Sequence, residues 1–146
     1  MQFTWPLPFA ELLGIELVRF EGGESELVMP LRRELTNSWD VAHGGAVMTL
    51  LDIALAHAAR SPGQDGLPEG VGVVTIEMKT SFLRAGTGER LRGVGRVLRR
   101  TPSFAFCEGS VFDGAGELAA HATGTFKYMR RLPVGATRVQ RHGASD

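Results

Sequence analysis

The sequence predicts an α+β fold in which a long, curved antiparallel β-sheet wraps around one buried central helix. Three observations carry that expectation. From residue 44 to residue 59 nearly every side chain is small or apolar, with Thr49, Asp52 and His57 the only polar ones, as in a helix buried on all sides. Two segments rich in β-branched and aromatic residues precede this run and four follow it. The later four are separated by short breaker stretches, which predicts an antiparallel meander, and they run to about 12 residues against a usual length of about five or six, which predicts strong curvature.

In chain order, Trp5-Pro6-Leu7-Pro8 leads into a short amphipathic turn over residues 9–13 that ends at Gly14. Residues 15–20 alternate, 21–24 form a turn and 25–31 alternate again, so they read as a hairpin with one buried face. Residues 35–42 are a loop into the helix. The helix itself is too short for a bilayer, which takes about 20 apolar residues, and it carries a carboxylate in its middle. Residues 61–70 are a breaker-rich connector. Strands are expected over 71–83, 90–101, 104–112 and 117–128, with turns at 85–88, 102–103 and 113–116. From 133 to 146 the chain is polar and aperiodic and reads as a disordered tail behind a single domain of residues 1–132.

Composition narrows the function classes. The 146 residues are 43% hydrophobic and 22% charged, enough for one substantial core. Sixteen Lys plus Arg balance sixteen Asp plus Glu, so no overall field favours nucleic acid or an anionic membrane. A small molecule or a second copy of the chain is the expected partner. The lone Cys107 cannot form an intrachain disulfide, and the start MQFTWPLPF has neither a basic nor a long apolar leader segment, which points to a reducing, cytoplasmic home.

Asp52 is the anomaly of the helix. An ionised carboxylate among Leu50, Leu51, Ile53 and Leu55 costs several kcal/mol unless it is hydrogen-bonded or opens on a polar pocket. Either it pairs with a neighbouring strand or it does chemistry. At the other end of the helix, His43-Gly44-Gly45 places two residues without side chains over unpaired N-terminal N–H groups. Such an end can hold an oxyanion or a polarised carbonyl.

The run Asn37-x5-His43-Gly44-Gly45-x6-Asp52 resembles the active-site signature of hotdog-fold acyl-CoA thioesterases of the phenylacetate-pathway (PaaI-like) and 4-hydroxybenzoyl-CoA type. Matching segments at 8–15, 81–86, 116–120 and 123–126 extend the resemblance over most of the chain. It implies a hotdog fold and hydrolysis of an acyl- or arylacyl-CoA to the free acid and coenzyme A, with no cofactor and no metal. By the same resemblance the Gly44 N–H polarises the thioester carbonyl, and Asp52 is general base or nucleophile. Asn37 donates a hydrogen bond beside the thioester. His43 fixes the turn that aims the Gly44 N–H, with a purely structural histidine an equal reading. Some relatives place Thr or Ser one helical turn after the acid, where this chain has Ala56, so Thr75 is the first candidate to hold the water and Thr49 the second. Gly45, Thr49, Phe82 and Arg84 are the expected substrate-binding residues.

Other polar residues have plainer readings. His43, His57, Cys107 and His121 lack metal-ligand spacing. Arg96, Arg99 and Arg100 are expected to be solvated strand-edge residues, and Gly86-x-Gly88 is a turn because no strand-to-helix context surrounds it. The alternatives to hydrolysis are a hotdog dehydratase or hydratase and a non-catalytic acyl-CoA sensor. Eight residues of helix separate Gly44 from Asp52 by about 12 Å, too far for both to touch one carbonyl carbon. A two-fold homodimer with shared active sites is therefore expected, and the resemblance implies that dimers pair into a tetramer.

Overall fold

The apolar run after His43 forms α2, Gly44–Arg60, in the computed structural model, which describes residues 1–129. The expected tail at 133–146 lies outside the described residues. Before α2 come α1 (Pro8–Leu12), β1 (Glu16–Glu21), β2 (Glu24–Pro30) and a short 3-10 helix, Arg33–Leu35. After it come β3 (Gly72–Phe82), β4 (Arg90–Arg100), β5 (Phe104–Phe112) and β6 (Leu118–Met129). The β1–β2 hairpin turns on Gly22 and Gly23, both at positive φ (62° and 82°), which a tight two-residue hairpin needs and a residue with a Cβ resists.

All six strands join one antiparallel sheet in the order β1-β2-β4-β5-β6-β3. The expected four-strand meander is therefore corrected: β4, β5 and β6 form it, but β3 lies at the far edge, paired with β6. Residues 85–88, read as a hairpin turn, belong to a connection over residues 83–89 that instead crosses three strand spacings. That is about 14 Å, within the roughly 23 Å that seven extended residues can span. The crossing is pinned throughout. Leu83 and Arg84 donate N–H bonds to Ala119 O, Thr87 O accepts from Gly114 N–H, and Glu89 O accepts from Leu31 N–H.

The concave face of the sheet buries Leu17, Leu27, Met29, Leu91, Val111 and Phe126 against Leu50, Leu51, Ala54 and Leu55 of α2. The helix can lie this close because glycines face it. A Cβ at Gly95 would stand 2.6 Å from Ala54 O, and one at Gly109 would stand 2.4 Å from the Leu55 side chain. Two polar side chains tie the helix down as well: Ser25 Oγ donates to Ala54 O (2.6 Å) and Tyr128 OH donates to Ala59 O (2.5 Å).

Among the described residues the helix is not buried on all sides. Gly45, Met48, Thr49, Asp52 and Ala56 form a stripe that is exposed or half-buried, because one sheet covers one side of a helix and the described residues supply no second layer opposite it. No helix among the described residues is long and apolar enough to cross a membrane.

Candidate active site

The loop before α2 is built around Asn37. Its Oδ1 accepts the N–H groups of Trp39 (2.9 Å) and Val41 (3.4 Å), and its own N–H donates to Val41 O (2.9 Å). These bonds hold a tight turn in which Asp40 adopts φ 57°, a conformation that Asp tolerates better than most residues. His43 N–H then donates to Leu35 O (2.8 Å), which fixes where the helix begins.

The four N–H groups of the first helical turn have different fates. Gly45 N–H donates to His43 Nδ1 (2.9 Å), so His43 caps the helix, while Ala46 and Val47 N–H both donate to His43 O (2.9 and 3.1 Å). Gly44 N–H has no acceptor among the described residues. It is the one donor of that turn left for a ligand, and the helix dipole favours negative charge there. Above it stands Phe82, whose ring would lie 3.4 Å from a Cβ at position 44.

Two hollows flank this helix start. One, of about 380 Å³ on the β3 side, is lined by Asn37, Trp39, Gly44, Phe82 and Arg84 among others. The other, of about 220 Å³ on the α1 side, is lined by Phe9, Leu13, Leu35, His43, Gly45 and Thr49 among others. The residues expected near the thioester therefore gather at one end of α2. Arg84 is engaged at the rim, 3.4 Å from the Glu117 carboxylate.

Asp52 lies two turns away, half-buried on the open stripe. Its Oδ1 accepts a hydrogen bond from Thr75 Oγ1 at 2.7 Å. Thr49, the second candidate for that position, turns back to donate to Gly45 O (2.8 Å) instead, as helical threonines often do.

A β-bulge makes the Thr75 contact possible. Thr75 sits opposite Phe126 and Glu77 opposite Thr125, leaving Ile76 as an extra residue in β3. Side chains alternate along a strand, so Thr75 and Phe82, seven apart, would point to opposite faces of a regular strand. The bulge brings both to the side of α2. Thr75 pairs with buried Phe126 and Phe82 with buried Ala120. Sequence analysis missed the bulge, although that odd spacing between two expected site residues was its signal. Trp39, a residue 83% exposed that was not among the expected site residues, also lines the β3-side hollow.

The remaining titratable groups are structural. His57 is 3% exposed and lies edge-on to Phe3 and Phe20. Its Nδ1 is 2.8 Å from Ile53 O and its Nε2 is 3.0 Å from Arg60, which assigns a neutral ring protonated at Nδ1. Burial foremost, and then the Arg60 charge, push its pKa down to about 4 against the bond to Ile53. Burial pushes the Cys107 thiol up to about 12, so it is inert. Arg96 and His121 are committed to Glu108 on the outer face, and the hydrogen bond from Arg96 holds that carboxyl below its ordinary value. Arg100 donates to Asp65 O. Among the described residues, no three His, Cys, Asp or Glu side chains converge as a metal site requires.

Comparison with known proteins places this geometry. Residues 40–120 match the family described as the thioesterase superfamily. A conserved protein of known structure from Pseudomonas aeruginosa is 31% identical, with 85% of this chain and 95% of that one covered and a TM-score of 0.77. A Bacillus halodurans protein crystallised with CoA is 29% identical, covering 86% and 78% of the two chains, with a TM-score of 0.73. The medium/long-chain acyl-CoA thioesterase YigI of Escherichia coli is 25% identical over 85% of this chain and 87% of its own. With its six-stranded antiparallel sheet curled on one long helix, and with a family match over more than half its length, the chain belongs to the thioesterase superfamily, as a hotdog-fold thioester hydrolase.

Proposed function

We propose that the protein hydrolyses acyl- or arylacyl-coenzyme A thioesters at sites shared between two copies of the chain. The observation that carries this is the division of labour along α2. A Gly44 N–H without an acceptor among the described residues lies at the helix start, and an Asp52 carboxylate held by Thr75 lies about 12 Å further along the same helix. Each is half of a catalytic pair. A second copy related by a two-fold axis near Met48 brings Gly44 of one chain to Asp52 of the other, twice. On β3 the same axis falls near Met78 and Lys79, between Thr75 and Phe82. β3 is an edge strand with Val74, Ile76 and Phe82 exposed, and its open edge suits a neighbouring strand. Pairing of two such dimers would give a tetramer.

In this arrangement the carbonyl oxygen accepts from Gly44 N–H, which stabilises the oxyanion as it forms. Asp52 of the second copy takes a proton from water as its oxygen attacks the carbonyl carbon. The tetrahedral intermediate then expels coenzyme A thiolate, which takes the proton that Asp52 removed from water and so restores the carboxylate. If Asp52 attacks directly, an anhydride forms and water cleaves it to the acid. Thr75 spends its proton on Oδ1, so it orients the carboxylate and leaves Oδ2 to face the water or the carbonyl carbon. Asn37 uses Oδ1 within its own loop, which leaves its amide N–H groups for the substrate. The similarity to YigI and to a protein that holds CoA supports coenzyme A as the carrier. The reducing cytoplasm suits that substrate and the buried free Cys107.

Subunit mixing tests the proposal. Gly44→Pro removes the donor N–H at a helix position that tolerates proline, and Asp52→Asn removes the base. Each variant alone should release almost no thiol from a panel of acyl-CoAs. Co-folded in equal amounts they should recover up to about a quarter of wild-type activity, since half the dimers are mixed and each mixed dimer holds one intact site. A mixture that stays inactive while mixed dimers form refutes the shared site. A wild-type enzyme that releases no thiol from any acyl-CoA refutes the substrate.

A further inference from the structure

A thioester hydrolase must seat an acyl group beside its reacting carbonyl, and one hollow at the start of α2 has the shape for it. The β3-side hollow, about 380 Å³ in volume, opens beside Gly44 and is lined mostly by apolar residues. Its rim is exposed, at Trp39 and Phe82, and its floor is buried, at Ala42, Val47, Gly86 and Ala119. Backbone bonds fix that floor. Ala42 N–H donates to Gly86 O (2.9 Å), and Ala119 O accepts the N–H groups of Leu83 and Arg84 (2.8 and 3.2 Å). There is no passage beneath it, because a Cβ at Gly86 would already stand 3.1 Å from the Ala42 side chain and 3.4 Å from that of Leu91 in the core. Ala119 lies on β6, inside the edge strand β3, so the floor belongs to a single chain.

An arm of the thioester that enters a hollow with a closed floor must end there. Coenzyme A has to extend past the sulfur to its phosphates, and the one cationic residue of this hollow, Arg84, is already paired with Glu117. The acyl group ends in hydrocarbon, which apolar walls suit. On the acyl-CoA reading above, we infer that the acyl group descends from the Gly44 N–H into this hollow and that Val47 sets the length it accepts. Val47 lies one helical turn beyond Gly44, at i+3, and so on the same side of α2. It is 4% exposed and the largest of the floor residues, so its methyl groups decide how deep the hollow runs.

The experiment measures kcat/KM over straight-chain acyl-CoAs from acetyl to palmitoyl for the wild type, Val47→Ala, Val47→Leu and Ala119→Val. Inhibition by free coenzyme A, sedimentation and thermal melting are measured alongside. The wild type should be slower on palmitoyl than on shorter chains. Val47→Ala should move the optimum to longer chains, and Val47→Leu and Ala119→Val to shorter ones, by about tenfold in the ratio between neighbouring substrates. Inhibition by coenzyme A should stay within about twofold of the wild type, because the carrier does not touch the hollow, and sedimentation should not change. Val47→Leu adds a single methylene and should fold even if the other two variants melt early. An active wild type whose optimum stays in place in every folded variant overturns this inference alone, as does a wild type fastest on palmitoyl. So does a variant that weakens inhibition by coenzyme A or shifts sedimentation, since the hollow would then hold the carrier or the partner chain. A wild type inactive on every acyl-CoA refutes the substrate reading and this inference with it.

Discussion

In the proposed mechanism Asp52 is the working carboxylate, and one hydrogen bond from Thr75 sets its orientation. The 2.7 Å bond from Thr75 orients Oδ1, and the open stripe leaves the carboxylate half-exposed. Asp52→Asn should therefore leave the fold intact, by circular dichroism and thermal melting, and lower kcat by at least about 10². Thr75→Ala should cost about tenfold in kcat with little change in KM, while Thr75→Ser, which keeps the hydroxyl, should stay close to wild type. His57 makes the opposite case. Its folded pKa of about 4 lies below the ordinary 6.5, so between those values the unfolded chain binds a proton that the folded chain refuses. Stability should fall as pH drops from about 6.5 to about 4, by up to roughly 3 kcal/mol, and level off below. Urea denaturation across that range should show the loss, and His57→Leu should remove this part of the slope. The spacing of Asn37, His43, Gly44, Gly45 and Asp52 made these residues conspicuous in the sequence, and the family resemblance already ranked Thr75 ahead of Thr49; the structure adds that Thr75 bonds Asp52 while Thr49 turns back to Gly45 O.

At the level of elements, the position of α2 depends on what the sheet leaves out. Gly95 lies opposite the carbonyl that Ser25 also binds, so Gly95→Ala pushes a methyl into Ala54 O and lifts the helix from that anchor. The expected cost is roughly 1–3 kcal/mol from overpacking, with about 1 kcal/mol more if the Ser25 bond is lost, read from urea midpoints. Gly116, which has nothing within 4 Å of its would-be Cβ but sits at φ 79°, is the control for backbone strain without a clash. β3 carries a different device. Its bulge at Ile76 changes which alternate residues face the helix, so one strand serves both Asp52 and Gly44. The strand and its approximate ends were legible from its β-branched residues, but the bulge left only the odd spacing of Thr75 and Phe82 as a trace, because composition alone does not register an extra residue.

For the whole molecule, the open stripe on α2 and the open edge of β3 are the surfaces on which the proposed two-fold dimer rests. Met48 marks the midpoint between Gly44 and Asp52, so in the dimer proposed above the two copies of Met48 would meet at the axis. Met48→Asp places two carboxylates across that axis in a setting that excludes water, where like charges repel strongly. Sedimentation should show monomers, and activity should disappear although residue 48 takes no part in the chemistry. Met48→Leu, similar in volume and polarity, should retain both assembly and turnover.

The sequence by itself determined the elements and the signature, since both are written in local order. The apolar run fixed α2, the small and β-branched segments set six strands to within a residue or two, and spacings of six and seven along the chain linked Asn37, His43, Gly44, Gly45 and Asp52. Tertiary structure alone decided the strand order, the partner of Asp52 and the side of α2 left open. Residues 83–89 are long enough either to turn back beside β3 or to cross to β4, and only pairing of β3 with β6 settles which. Thr75 reaches a carboxylate 23 positions away because that pairing and the Ile76 bulge aim it there. Each of these outcomes depends on which distant backbone completes a hydrogen-bond ladder or covers a face, and neighbouring residues in the sequence carry no record of it.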